Sequence, residues 1–306
     1  MRVRLYENYR FVLYAPFYAA HALGAYEAEG VAVELLASPG PGKAEAALVA
    51  GAAEAMWLGP IRLMKAHEQD PTSPLVAFAE VVCRDPFSLV GATPNPGFAL
   101  ADLLGKRFAS VSEVPTPWLC LVGDLRQAGI DPARLDRQIG GTMPENVAAL
   151  RRGALDVAQL FEPFVEQALR AEGANGGAHL WQPAAARGRT SYTVFATTRQ
   201  RLDADPEPFR RMARAILKTQ RWVQANPPAA LAALIADYFP QLDRDVLAGG
   251  LARYRANGVW ADNPVLSEEG FDRLQRALRV SGFLAGAVPF AACADNALAA
   301  EAASGG

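Results

Sequence analysis

The sequence is poor in the residues that build disulfide frameworks and metal sites. Its 306 residues include three cysteines and three histidines, which are Cys83, Cys120, Cys293, His21, His67 and His179. An odd number of widely separated cysteines argues against a disulfide framework and against a CxxC metal-binding motif. The histidines have no partner four residues away and no nearby cysteine, so we predict no bound metal. We also predict no cofactor.

Charge of one sign and long apolar runs are also missing. The 30 basic and 32 acidic residues are spread along the chain, which argues against nucleic-acid binding and against a polybasic membrane-binding face. No run reaches the 18 to 20 apolar residues of a membrane span, so direct membrane insertion is not expected. The first residues, MRVRLYENY, lack the apolar core of a secretory signal. We expect a periplasmic protein if a signal has been removed, and a cytoplasmic one otherwise.

Strand-like and helix-like segments alternate in the first part of the chain. The predicted strands are 2–7, 31–36, 54–58 and 75–82, and the segments between them have helical spacing. A second alternating series follows the Pro/Gly/Asn-rich segment 93–98 and ends near the Gly/Ala-rich segment 174–190. After a β-type run at 191–198 the chain is almost wholly helical. This alternation is typical of α/β proteins with mixed, mostly parallel sheets flanked by helices.

The two breaks, near 90 and 190, predict a discontinuous domain. Residues 1–90 and 190–306 would form lobe I, and residues 91–189 an inserted lobe II, joined by two crossing strands. Strand carboxyl ends and helix amino ends converge between α/β lobes. A small ligand is therefore expected in a cleft between the two lobes.

Four strand-to-helix junctions supply candidate ligand-binding residues. They carry aromatic rings for stacking, side chains for directional hydrogen bonds, and free backbone N–H groups that suit an anion. The candidates are Asn8, Tyr9 and Tyr14 at the first junction; Trp57, Gly59 and Pro60 at the second; Ser112, Thr116 and Trp118 at the third; Glu162 at the fourth; and Tyr192 at the start of the returning strand.

Structural roles compete with ligand binding at several of these positions. Trp57 follows a short apolar run and would equally well pack under the sheet as core. Ser112 and Thr116 precede a helix and would serve as helix caps. Glu162 stands before a helix start, where the helix dipole alone favours a carboxylate.

Several motifs in order carry a family resemblance. They are PFYAAHALGAYEAEGVAVEL (16–35), ALVAGAAEAMWLGP (47–60), RDPFSLVG (84–91), ADLLGKRFAS (101–110), GIDPARL (129–135), ALRRGALDVAQLFEP (149–163) and RWVQANP (221–227). From residue 2 to about 290 the chain resembles the periplasmic-binding-protein-like family of nitrate, sulfonate, taurine and thiamine-pyrimidine binding proteins, which also includes thiamine pyrimidine synthases. The resemblance implies a two-lobed, type II binding fold that closes on a small solute and, in transport members, delivers it to an ABC importer.

Departures from the synthase branch bear on activity. In our alignment, the Tyr-His-x-Pro segment of that branch falls on Tyr14-Ala15-Pro16, which has no histidine, and its cofactor-binding lysine falls on Ala52. Its cysteine-rich run falls on 186–192, which has no cysteine. Self-consuming pyrimidine synthesis is therefore not expected. RDPFSL is closer to the pyrimidine branch than to the nitrate branch, so a pyrimidine-like or other aromatic ligand stays open.

The function predicted from the sequence is a non-enzymatic solute-binding protein. It would hold a small planar or anionic organic ligand, pyrimidine-like, aromatic or sulfonate-like, and deliver it to an ABC transporter permease. The alternatives are an enzyme of thiamine-precursor metabolism and a cytoplasmic ligand sensor. An enzyme would need a nucleophile, base or cofactor lysine in the cleft, and none of the four lysines lies at a predicted junction.

Overall fold

A computed structural model describes residues 1–40, 43–170 and 177–305. Two segments predicted as helices, 42–51 and 162–173, extend beyond these limits: residue 42 and residues 171–173 lie outside the described residues. The strands are β1 Arg2–Glu7, β2 Ala32–Ala37, β3 Ala55–Leu58, β4 Leu75–Val82, β5 Ser88–Gly91, β6 Arg107–Ala109, β7 Asp136–Gln138, β8 Val157–Leu160, β9 His179–Pro183 and β10 Thr193–Thr198.

The helices follow the predicted alternation closely in the first two thirds of the chain. They are α1 Ala15–Ala22, α2 Ala25–Ala28, α3 Lys43–Val49, α4 Pro60–Gln69, α5 Thr116–Gln127, α6 Met143–Arg151, α7 Phe164–Arg170, α8 Arg199–Ala204, α9 Glu207–Ala225, α10 Pro228–Ile235, α11 Arg244–Ala256, α12 Glu268–Val280, α13 Phe290–Cys293 and α14 Ala297–Ser304. The single helix expected after β1 is divided into α1 and α2, because Gly24 adopts a left-handed φ of 63°.

In the described part of the chain, ten strands form two five-stranded sheets. The first has the order β2-β1-β3-β10-β4 and the second the order β7-β6-β8-β5-β9. In each sheet two neighbouring pairs are parallel and two are antiparallel. The predicted mixed, helix-flanked architecture is thus confirmed, with parallel pairs making up half of the pairings rather than most of them.

The first sheet is discontinuous along the chain, whereas the second consists of five consecutive strands. β10 comes after all strands of the second sheet yet lies between β3 and β4, while β5 follows β4 directly and lies between β8 and β9. The chain therefore passes between the sheets twice, at 83–87 and at 184–192. The predicted boundary at 90 falls inside β5, whose partners are both in the second sheet, so we propose the lobe boundary at the 83–87 connection.

Aromatic side chains fill the core beneath the first sheet. Trp57 on β3 is 0% exposed and stacks on Phe17 of α1, with ring centroids 4.6 Å apart. Phe17 in turn meets Phe195 of β10 edge-on at 4.7 Å. These contacts between successive elements bury large apolar surfaces and fix α1 against the sheet.

The C-terminal helices contact both sheet bodies. α9 and α14 pack against β4 of the first sheet, while α12 packs along α5 and α11 touches α7. The helical section therefore fixes elements of both bodies together. Among the described residues, no helix is both long enough and apolar enough to span a membrane.

Candidate ligand cleft

A cavity of about 410 Å³ opens where elements of the two sheet bodies meet. One wall comes from the β1–α1 connection and from α4; the other comes from the segment before α5, from Phe87 and from the start of β10. We call this cavity the cleft. Six residues predicted from the sequence line it: Asn8, Tyr9, Tyr14, Gly59, Thr116 and Tyr192.

Stacked aromatic rings form the wall after β1. Tyr9 stacks on Phe11 with centroids 5.2 Å apart and 14° between the planes. Phe11 stacks on Tyr14 at 6.2 Å and 18°, and it meets Phe161, which follows β8 of the second sheet, edge-on at 4.8 Å. Phe11 therefore links the cleft wall to the opposite body, and its neighbours offer flat surfaces to a planar group.

Tyr14 supplies a neutral hydroxyl deep in the cleft. Burial raises the pKa of Tyr14 well above its ordinary value, while the nearby polar side chains of Asn8 and Thr193 act in the opposite direction. The phenol therefore keeps its proton at any physiological pH. Asn8, Tyr14 and Thr193 together form a polar group in an otherwise aromatic wall.

Tyr192 presents an unsatisfied hydroxyl. The residue is 8% exposed and lines the cleft, and its hydroxyl has no hydrogen-bond partner within the described part of the chain. Burial raises the pKa of Tyr192 well above its usual range. A buried hydroxyl without a partner costs about 1–3 kcal/mol, so any polar ligand atom that reached this oxygen would be stabilised.

Charged side chains of α4 stand at the cleft. Arg62 Nη1 lies 2.9 Å from Glu45 Oε1, and Glu45 Oε2 has no partner among the described residues. Lys65 Nζ binds Glu68 at 2.6 Å and lies over the ring of Phe283, 5.2 Å from its centroid. Both cations of α4 that line the cleft are thus ion-paired, Arg62 with the lining Glu45 and Lys65 with Glu68.

The β3–α4 junction brings backbone close to the cleft. Gly59 lines the cavity, and a Cβ there would lie 3.3 Å from Ile61 Cγ2 and 3.4 Å from the carbonyl oxygen of Tyr192. Pro60 is buried at the first position of α4 and is not among the lining residues. Its role there is to start the helix, because proline suits the first helical position.

Trp57 belongs to the core rather than to the cleft wall. Besides Phe17, its ring contacts Tyr14 at 5.7 Å and Tyr18 at 5.6 Å. The structure thus corrects the expectation that Trp57 faces the ligand and gives the residue its alternative role under the sheet. All four side chains of β3 are buried, because the strand lies at the centre of a sheet covered on both faces.

Two candidates of the third junction also lie away from the cleft. The ring of Trp118 is covered by the Arg137 guanidinium, 3.8 Å from its centroid, and packs near Phe108. Ser112 Oγ donates to the carbonyl oxygen of Gly141 at 2.9 Å. Thr116 lines the cleft at the first position of α5, and no side chain caps that helix.

Glu162 is occupied by structural contacts. It is 1% exposed, lies 3.2 Å from Arg253 Nη1 and accepts a hydrogen bond from the backbone N–H of Glu166 at 3.0 Å. Burial raises the pKa of Glu162 to about 7, against the charge of Arg253. It does not line the cleft, which corrects the proposed ligand role.

Sequence reasoning missed several lining residues. Phe11, Glu45, Arg62, Lys65, Phe87 and Thr193 were not among the candidates. The sequence does indicate that these cations share a surface. Their helical spacing, i, i+3 and i+7 for Arg62, Lys65 and Gln69, places the three side chains on one face of α4. Within the described residues, no group of three or more His, Cys, Asp or Glu side chains is placed to hold a metal ion.

Two mixed sheets flanked by helices define the fold of the periplasmic-binding-protein class, and solved structures of that class match nearly the whole chain. The periplasmic aliphatic sulphonate binding protein SsuA from Escherichia coli matches with a TM-score of 0.72 at 17% identity, covering 95% of this chain and 96% of that one. The desulfurization enzyme DSZB matches with a TM-score of 0.70 at 15% identity, covering 99% of each chain. At these identities the likeness concerns the fold alone.

The particular family follows from the sequence comparison. The family model described as NMT1/THI5 like matches residues 13–230, so the chain belongs to that family, as the order of its motifs predicts. A curated relative, "Putative binding protein YtlA" of Bacillus subtilis (strain 168), is 26% identical over 290 residues, covering 94% of this chain and 86% of the relative.

Proposed function

We propose that this protein is the solute-binding component of an ABC importer and holds a small organic ligand in the cleft. The observation that carries the proposal is the cavity of about 410 Å³, walled by the stacked rings of Tyr9 and Phe11 and lined by Tyr192, whose buried hydroxyl has no partner among the described residues. This volume is within the range of small-molecule sites. The name of the relative YtlA and that of SsuA, a sulphonate-binding protein, support the same assignment.

The aromatic wall favours a ligand with a planar or apolar part. Offset stacking on an aromatic ring adds about 0.5–1.5 kcal/mol beyond the burial of area. Tyr9 is only partly buried while it stacks on Phe11, so one of its faces is available to a guest.

The cations of α4 favour a negative group on that ligand. Arg62 offers a planar fork of N–H donors, which matches a carboxylate or sulfonate better than an ammonium does. Its pairing with Glu45 keeps the guanidinium in place before the ligand arrives. A ligand with an anionic group and a planar or apolar body therefore uses both parts of the cleft.

A thermal-shift screen with matched variants tests this proposal. The probes are aryl sulfonates, alkyl sulfonates and pyrimidines, measured on the wild type, Tyr9→Leu, Arg62→Gln and the control Arg134→Gln, whose side chain is exposed outside the cleft. We expect at least one probe class to raise the melting temperature. Arg62→Gln should weaken anionic probes by about tenfold and Tyr9→Leu should weaken planar ones, with the control unchanged. No shift with any probe, or equal loss in Arg134→Gln, would count against the proposal.

An enzymatic role is the second candidate, because the fold is shared with the desulfurization enzyme DSZB. The cysteines of this chain do not favour thiolate chemistry in the cleft: all three are buried and none lines it. Burial raises the pKa of Cys83 to about 11 and that of Cys120 to about 12. Release of sulfite by hydrolysis of an aryl sulfinate by the purified protein would reverse this ranking.

A further inference from the structure

Helices α5 and α12 pack closely at one point and leave a second cavity beside it. A Cβ at Gly123 of α5 would lie 3.2 Å from Cα of Ala277 on α12, so the helix backbones nearly touch there. The adjoining cavity has a volume of about 540 Å³ and shares no lining residue with the cleft. We call it the arginine cavity, after the lining residues Arg126, Arg187, Arg273 and Arg276.

One of the four arginines is fully engaged by carboxylates. Arg187 binds Asp85 and Asp124 at 2.5 Å each, and Asp124 is the acidic residue lining the cavity. The two carboxylates outnumber the single guanidinium, so Arg187 offers a ligand no free positive charge. The charge available to a ligand therefore comes from the other three arginines.

Those three guanidiniums keep donors free. Arg273 pairs with the exposed Glu269 at 2.8 Å, but its Nε is enclosed and has no partner among the described residues. Arg126 donates to the carbonyl oxygen of Val280 through one nitrogen only. Arg276 makes no ion pair or side-chain hydrogen bond with the part of the chain that the structure describes. Arg126 and Arg276 have no carboxylate partner among the described residues, so two uncompensated positive charges stand beside this cavity, and an anion between them offsets their repulsion.

We propose that the arginine cavity binds a small polyanion with two or more linked phosphate groups. Guanidinium forks hold phosphate oxygens through paired, charge-assisted hydrogen bonds. Three cations from two helices match a chain of phosphates better than a single carboxylate or sulfate, which reaches only one or two of them. The volume suits a molecule of drug-like size, and the near-neutral net charge of −2 makes a long nucleic acid a poor match.

Binding of a triphosphate group tests the proposal directly. Melting temperatures are measured at constant ionic strength against tripolyphosphate, ATP and sulfate. The variants are Arg276→Glu in the cavity and Arg279→Glu, an exposed residue on the same helix outside it, so that both change the net charge equally. We expect tripolyphosphate to stabilise the wild type and the Arg279→Glu variant to the same extent. The Arg276→Glu variant should bind tripolyphosphate at least about tenfold more weakly. A response to ATP as well assigns the triphosphate group of a nucleotide, and a response to tripolyphosphate alone assigns inorganic polyphosphate.

Two outcomes would overturn the proposal. Equal weakening by both charge reversals would show general attraction to a basic surface, and shifts no larger than those caused by sulfate would show binding of an adventitious ion only. Arg126→Gln provides a second, neutral test should Arg276→Glu lower the stability of the unliganded protein. All these positions lie outside the cleft, so the result is independent of the proposed transport function.

Discussion

The Arg253 guanidinium lies 3.2 Å from the Glu162 carboxylate and 2.7 Å from that of Glu166. Arg253 belongs to α11 of the C-terminal section, whereas Glu162 and Glu166 follow β8 of the second sheet. A Cβ at Gly249 would lie 2.3 Å from Glu166 Oε1, so α11 approaches closely enough to bury the group. This ion pair joins the helical section to the second sheet body.

Replacing Arg253 with methionine should strongly destabilise the protein. The change leaves the buried Glu162 carboxylate without its cation, while Glu166 keeps Arg170, and such a loss costs about 3–5 kcal/mol. Urea unfolding of Arg253→Met measures the difference. Arg244→Met, at the exposed start of the same helix, is the control and should change the free energy of unfolding by less than about 0.5 kcal/mol. Equal effects of the two variants would contradict the assigned role of Arg253.

Stability should fall as the pH rises, because of Glu80. This carboxylate is 0% exposed, neither oxygen has a hydrogen-bond partner among the described residues, and the Arg189 Nη2 lies 3.6 Å away. Burial raises the pKa of Glu80 from 4.5 to about 7. Between pH 4.5 and 7 the folded state keeps a proton on Glu80 that the unfolded state releases. The stability that this carboxyl contributes is therefore fully present below pH 4.5 and is lost above pH 7.

Glu80→Gln removes this titration. We expect unfolding free energies measured from pH 4.5 to 8 to decline less steeply for Glu80→Gln than for the wild type, and the variant to gain relative stability at the alkaline end. Exposed Glu268→Gln is the control for the loss of one negative charge. A wild-type slope unchanged by Glu80→Gln would show that another group titrates.

Trp57 should contribute more than Trp118 to the free energy of unfolding. Trp57→Ala opens a cavity in the core beneath the first sheet and should cost about 3–5 kcal/mol. Trp118 is only partly buried, so Trp118→Ala should cost clearly less. Chemical denaturation of both variants checks the order, and a smaller loss at Trp57 would contradict its core position.

Removing the hydroxyl of Tyr192 should act in opposite directions on folding and on binding. Tyr192→Phe keeps the ring but deletes a buried, unpartnered polar atom, so the ligand-free protein should gain up to about 1 kcal/mol of stability. Affinity for a cleft ligand should fall by about tenfold, because a hydrogen bond to it is lost. Calorimetric titration and thermal unfolding give the two quantities. Unchanged affinity would exclude the hydroxyl from ligand binding.

Local sequence patterns and the positions of strand-to-helix junctions predict much of the fold and part of the cleft. The predicted strands 2–7 and 75–82 coincide with β1 and β4, and residues just after strand carboxyl ends, such as Asn8 and Gly59, do line the cleft. These placements depend only on where a strand ends and a helix begins, which short-range signals encode. The short strand β7 was not predicted, because its three residues carry no alternating pattern.

Side-chain direction accounts for the misplaced candidates. Thr116 and Trp118 are two positions apart on α5, and residues at that spacing do not face the same way on a helix; Thr116 faces the cleft and Trp118 faces Arg137. Trp57 lies on a strand buried on both faces, where apolar composition does not say which face a ring takes. Glu162 meets Arg253 from far along the chain, a contact that only the tertiary fold determines.

The structure of the protein with its natural ligand, identified by mass spectrometry of the purified complex, tests the central claim most directly. Our account predicts a small organic molecule in the cleft, with its planar or apolar part against the Tyr9 ring, a polar atom within hydrogen-bond distance of the Tyr192 hydroxyl, and a negative group near Arg62. A ligand bound outside the cleft, with the cleft itself empty, would contradict this account.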